Sequence, residues 1–148
     1  MNNIELQALR RLLFYTIPEA AALISGTSTR AWEHWESGQR PVPEDVAAQM
    51  VKLAGWRQNA INEILAERKK LEKNHRDPGQ ISLVYYNNSI DFMHNPQLWR
   101  PAQSVCAAFL AIDNRVRLVN FNLSAYTAWL NGRKDSQSLR AAWAAQIQ

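Results

Sequence analysis

Residues 16–43 read TIPEAAALISGTSTRAWEHWESGQRPVP, two short helical stretches around a tight turn. A helix-turn-helix requires a small residue where its helices touch, a permissive turn residue, apolar residues at helical spacing behind the second helix, and polar residues facing out. Ala22 supplies the contact and Gly26 the turn. Trp32 and Trp35, three apart, point inward and leave Thr29, Arg30, Glu33 and His34 on the free face. This pattern implies a second helix built to lie on double-stranded DNA.

The flanking segments extend the same unit. Asn2 and Glu5 have the form of a capping box, followed by Leu6, Leu9 and Leu13 on one helical face with Leu12 beside them. Thr16 and Glu19 repeat the box, with Pro18 in the first turn where its missing amide hydrogen does no harm. Ser28 or Thr27 caps the next helix, which runs through Ser37 and stops at Gly38. Glu44 and Asp45 suit the first turn of a fourth helix, whose inner face is Val46, Met50, Leu53 and Ala54. A fifth continues past Gly55 with Trp56, Ala60, Ile61, Ile64, Leu65 and Leu71. It ends in Arg68, Lys69, Lys70 and Lys73, a run that either touches phosphates or is simply a solvated helix end.

Asp77, Pro78 and Gly79 mark a turn after which the sequence changes character. Residues 81–86 and 115–121 have strand composition and enclose a helix over 101–112, giving a small α+β element. The tail has two short amphipathic stripes, Tyr126, Trp129 and Leu130, then Leu139, Trp143 and Ile147. Their aromatics either join the main core or form a satellite. The expected organisation is a helix-turn-helix domain over 1–76 and an α+β region with a helical tail over 77–148.

Composition limits the function classes. The chain of 148 residues is 47% hydrophobic with five glycines and six prolines, which excludes disordered and fibrous classes. No apolar run reaches the length of a membrane span, and the N-terminus lacks the features of a secretory signal, so a soluble, cytoplasmic protein is expected. Seventeen basic and 13 acidic residues, net +4, permit a polyanionic partner without demanding one. Cys106 has the apolar neighbours Val105, Ala107, Ala108 and Phe109, a setting for a buried inert thiol rather than a nucleophile. His34, His75 and His94 lie apart from it and from one another, with no metal-ligand spacing and no phosphate loop. An enzyme, a cofactor and a metal are therefore not expected.

Trp35, Glu36, Ser37, Gly38 and Pro43 resemble the WE-x-G…P helix ending of lambda-repressor-like helix-turn-helix proteins. With ELQALRRLL at 5–13, R-x-W-x-x-WESG at 30–38, VYYN at 84–87 and WRPAQSV at 99–105, the chain resembles a narrower set over about residues 1–120. This is the YdiL-like group, which includes regulators found beside anti-CRISPR genes. The resemblance implies a mainly α fold, with a five-helix lambda-repressor-like bundle followed by a small α+β region. It also implies homodimerisation through the C-terminal half and transcriptional repression. The tail from about Asn122 departs from the shorter members and inherits no role.

A helix entering the major groove N-terminus first places Thr27, Ser28 and Thr29 as hydroxyl and backbone donors to phosphates. Arg30 stands where the family places a base-reading arginine, whose fork matches the O6 and N7 of guanine. His34 is a donor to a base or phosphate, Glu33 an acceptor from cytosine, and Arg40 a contact to the DNA backbone. Arg30 also reads as paired to a neighbour on a solvated helix, and Glu33 and His34 as plain surface. Trp32 and Trp35 read as core rather than stacking platforms, and Glu36 needs a cationic partner from among Arg10, Arg11 and Arg40. One helix reads few base pairs, so a homodimer on an inverted repeat with half-sites about 34 Å apart is expected. The strand at 81–86 is the candidate for pairing across that axis, and Tyr85, Tyr86, Phe92 and Trp99 fill either the interface or the monomer's own core. Two other readings remain: an antitoxin or adaptor that binds a protein through its C-terminal half, and RNA as a further ligand.

Overall fold

The computed structural model of the chain describes residues 1–76, 79–92 and 95–147. Asp77 and Pro78, on which the sequence places its boundary turn, and His94 lie outside the described residues. The elements run α1 (Asn3–Leu12), α2 (Ile17–Ala20) continuing into a π-helical turn (Ala21–Ser25), α3 (Thr29–Glu36), α4 (Glu44–Lys73), β1 (Ile81–Tyr85), α5 (Pro96–Ile112), β2 (Val116–Asn120), α6 (Leu123–Leu130) and α7 (Gln137–Gln146). The fold is mainly helical, with one small parallel sheet, β1 beside β2. No helix among the described residues is long and apolar enough to cross a membrane.

Local signals set the N-terminal half. Both capping boxes form, Asn2 with Glu5 and Thr16 with Glu19. Helix α1 closes with bonds from the Phe14 amide to the Arg11 carbonyl and from the Tyr15 amide to the Arg10 carbonyl, with Phe14 left-handed at φ 65°. This double closure turns the chain so that Tyr15 enters the core and Phe14 stays exposed. Leu6, Leu13, Tyr15, Ala20, Ala21, Trp32, Trp35, Val46, Met50 and Leu53 form one buried cluster.

Two expectations are corrected here. The fourth and fifth helices are one helix of 30 residues, α4, so the expected five-helix bundle has four helices. Gly55 lies in its interior and is exposed; a glycine weakens a helix by about 1 kcal/mol relative to alanine, too little to break one packed on both sides of it. The small residues at the helix contact are Ala20 and Ala21, while Ala22 faces solvent. Three successive alanines look alike in sequence, and the π-helical turn that begins at Ala21 changes the facing within them.

The C-terminal half is built around the sheet. β1 and β2 pair in parallel, Ile81 with Val116 through Tyr85 with Asn120, joined by α5 as the crossover. Alternation sends Ile81, Leu83, Val116 and Leu118 to one face, against Val105 and Phe109 of α5 and Trp56, Ile61, Ile64 and Leu65 of α4. It sends Val84, Tyr86, Val119 and Phe121 to the other, against Tyr126 of α6 and Trp143 and Ala144 of α7. Tyr126 and Trp143 are buried, so the tail covers a sheet face rather than forming a satellite. Tyr85, Tyr86, Phe92 and Trp99 are at most half-exposed within the monomer, and the Tyr86 ring packs on Phe92 and Phe121.

Helix α5 begins at Pro96, five residues before the expected start, because Asn95 caps it and Pro96 occupies the tolerant first turn. Pro101 therefore sits inside the helix. It has no amide hydrogen to give the Gln97 carbonyl four residues back, and that carbonyl accepts from the Tyr15 hydroxyl instead.

Candidate nucleic-acid interface

The free face of α3 is the candidate site. The Ser28 hydroxyl accepts from the Ala31 amide at 3.2 Å and fixes the helix start. Gly26 is left-handed at φ 63°, which turns the chain sharply between the π-helical turn and that cap. On the inner side Trp32 is fully buried, and its ring meets Trp35 at 5.6 Å, tilted by 60°. Both tryptophans are core, not stacking platforms.

The inner side also carries an ion pair. Glu36, the last residue of α3, accepts from Arg10 Nε at 2.5 Å and Nη2 at 3.0 Å, from Trp32 Nε1 at 2.7 Å and from Gln7 Nε2 at 3.4 Å. Of the three candidate partners Arg10 takes the role; Arg11 and Arg40 are exposed. Burial pushes the Glu36 carboxyl up, and the Arg10 guanidinium with the Trp32 and Gln7 donors outweighs it, holding the group below the usual carboxylate range. Arg10 also donates to the Tyr15 carbonyl at 2.9 Å. The C-terminal end of α3 is thereby fastened to α1.

Arg30 and Glu33 are exposed on the outer side, Thr29 and His34 half-exposed. Thr27 and Ser28 are exposed just before the helix. Thr27 is partly spent: its amide donates to the Ala21 carbonyl at 3.0 Å, and its hydroxyl lies 2.7 Å from that of Ser25. The amides of Thr29 and Arg30 belong to the first turn, where a helix offers no acceptor of its own. Arg40 is exposed beyond the helix, its amide bonded to the His34 carbonyl. The geometry brings hydroxyls, first-turn amides and one unencumbered guanidinium together at one helix end, a set suited to a phosphate and a base edge.

The other candidates resolve as structure. Arg68 pairs with Asp113 at 2.6 Å and with Glu72 at 3.9 Å, and Lys70 with Glu67 at 3.5 Å, so the basic run at the end of α4 is partly neutralised within the chain. Cys106 is largely enclosed, its thiol donates to the Val84 carbonyl, and burial pushes it up to about 11. Among the described residues no three His, Cys, Asp or Glu side chains are placed to hold a metal ion.

A model of the Aca2/YdiL-like family matches residues 1–118. The chain belongs to that family. It is similar to the Aca2 repressor of Pectobacterium phage ZF40, 37% identical over 114 residues, which span 74% of this chain and 92% of that protein. It is also similar to the uncharacterized protein YdiL of Escherichia coli K12, 29% identical over 119 residues, 76% of this chain and 96% of YdiL. The family match ends within β2, so α6 and α7 lie beyond it. Sequence reasoning did not find the bonds of Arg100 to Glu19 and of Gln97 to Leu23, which join the two halves. The partners are distant in sequence and no local pattern pairs them.

Proposed function

We propose that this protein is a sequence-specific DNA-binding transcriptional repressor that acts as a homodimer on an inverted-repeat operator. The observation that carries the reading is the presentation of α3: Ser28 fixes its start, Trp32, Trp35 and Glu36 hold its back, and Arg30 stands exposed at its N-terminal end. Arg30 reads a guanine, Thr27, Ser28, Thr29 and Arg40 contact phosphates, and His34 and Glu33 add base or backbone contacts. Similarity to a protein named a repressor supports the direction of control.

Residues 1–76 serve as the reading domain and 77–148 as the dimerising region. The edge of β2 suits dimerisation better than β1, which the sequence favours. On β1 the Val84 carbonyl accepts from Cys106, and just past its end the Tyr86 carbonyl accepts from Trp99 Nε1 and Gln103 Nε2, so its outer side is capped by α5. On β2 the main chain of Leu118 and Asn120 points away from β1. Two copies paired antiparallel about Val119 would exchange bonds between Leu118 of one and Asn120 of the other.

Selection from a random duplex library, followed by sedimentation of the protein with and without the enriched duplex, tests the proposal. Enrichment of an inverted repeat bound by two chains is expected. Enrichment of nothing, with capture of folded RNA or of a single protein partner, would transfer the function to the RNA or adaptor reading. Against an adaptor, the tail aromatics that suggest a protein partner, Tyr126 and Trp143, are buried within the chain.

A further inference from the structure

The two halves are joined by more than the chain. Helix α4 packs its first half into the helix-turn-helix core through Val46, Met50 and Leu53, and its second half against α5 and the sheet beneath it through Trp56, Ile61 and Ile64. Between these stretches lies Gly55, where nothing touches the position a Cβ would take. Gly55 faces solvent while the other side of the helix is held to α5, where Arg57 Nε donates to the Ser104 hydroxyl at 2.8 Å; a glycine at such a junction makes it the place where the helix bends most readily. A bend of about 10° there, acting over the roughly 16 Å back to Glu44, moves the far end by about 3 Å, close to the rise of one base pair.

A second connection closes the triangle at the first turns of α5. Pro101 leaves the Gln97 carbonyl without a helical donor, and the Tyr15 hydroxyl from the helix-turn-helix core fills it. The Gln97 side chain donates to the Leu23 carbonyl at 2.6 Å and accepts from Gln49 at 2.8 Å. One turn on, Arg100 grips Glu19 through Nε and Nη2 at 2.6 to 3.1 Å. Glu19 is also the carboxylate of the α2 capping box, so this grip holds the start of the first helix of the motif. Arg100 in turn donates to Gln103, and Gln103 to the Tyr86 carbonyl at the end of β1.

We infer that this cluster, Tyr15, Glu19, Gln97 and Arg100 around the carbonyl freed by Pro101, is a stay that fixes the angle between the DNA-reading helices and the sheet and so sets the half-site spacing the protein accepts. The inference deepens the proposed function and rests on it for the DNA readout. These are positioning residues: they touch no base, and they act through the placement of α3 relative to its symmetry mate.

The test compares full-length wild type with the Tyr15→Phe/Arg100→Ala double variant, each confirmed folded by circular dichroism. Binding is measured to a single half-site and to inverted repeats whose spacers differ by one and two base pairs. Wild type should favour one spacer by about tenfold, the size of one mismatched base pair, whereas the variant keeps its single-half-site affinity and discriminates spacers by less than about threefold. An unchanged spacer profile in the variant, or no spacer preference in wild type, overturns the inference while leaving half-site recognition intact. Residual dipolar couplings read the stay without DNA. One alignment tensor should fit the amides of α1 to α3 and of the sheet in wild type, and two should be needed in the variant; a single tensor in both proteins overturns the inference even if no duplex is ever enriched.

Discussion

Glu36→Gln tests how α3 is held. The carboxylate accepts four N–H donors, two of them from Arg10, in a site where the side chains of Arg10 and Glu36 are 10% and 5% exposed. Glutamine keeps one oxygen and turns an amide group toward a donor, leaving the Arg10 charge without its counterion. Removing one partner of a buried pair costs about 3–5 kcal/mol. That is a large share of the roughly 5–15 kcal/mol that holds a domain together, and corresponds to a fall in melting temperature of roughly 10 °C for a chain of this size. Urea unfolding followed by tryptophan fluorescence measures it directly, since Trp32 is one of the donors. The pH dependence has a definite sign. The folded Glu36 carboxyl lies below its ordinary range, so its stabilisation is fully present above the unfolded value and is lost as pH falls through the depressed folded one. The gap between wild type and Glu36→Gln should thus be widest near neutrality and close in acid, where a protonated Glu36 resembles glutamine. A variant within about 1 kcal/mol of wild type at pH 7, a surface-pair value, or a gap that persists unchanged in acid, would refute the claim that this pair anchors the helix.

Three further outcomes are expected. Arg30→Ala should weaken specific binding by about 1–3 kcal/mol and relax selectivity at one position of each half-site, with stability unchanged; equal binding curves would remove Arg30 from the readout. Trp143→Ala should lower stability by about 3–5 kcal/mol, and truncation after Phe121 should expose Val84, Tyr86, Val119 and Phe121 to a hydrophobic dye; cooperative unfolding at the wild-type midpoint in either protein would show that the tail is dispensable. Cys106, with its thiol pushed up to about 11 by burial, should be only about one part in a thousand thiolate at pH 8 and react with Ellman's reagent only after denaturation. Rapid labelling of the native protein would contradict its enclosure.

The parts of this fold written in local signals were legible in the sequence. Asn2 with Glu5, Thr16 with Glu19 and Ser28 each cap the helix they suggest, and Gly38 takes φ 76° just past the end of α3. The period of 3.6 residues separates buried Trp32 and Trp35 from exposed Arg30 and Glu33 without knowledge of any other element. What depends on distant partners was not legible. Nothing near Gly55 shows that both sides of α4 are packed, and nothing near Pro101 shows that Tyr15, 86 positions earlier, supplies the bond the proline withholds. Arg10, Arg11 and Arg40 were equivalent partners for Glu36 until the register of α1 against α3 chose one. The tail aromatics were equally mute, because stripes carrying Tyr126 and Trp129, and Trp143, look the same whether they meet their own sheet or another protein.

The most direct test of the proposed function is an anisotropy titration of an enriched inverted-repeat duplex and a scrambled one at two salt concentrations. Binding by two chains per duplex, at least about a thousandfold tighter than to the scrambled sequence and weakening steeply as salt rises, is the expected result. Equal affinity for the two duplexes would contradict sequence-specific recognition by α3.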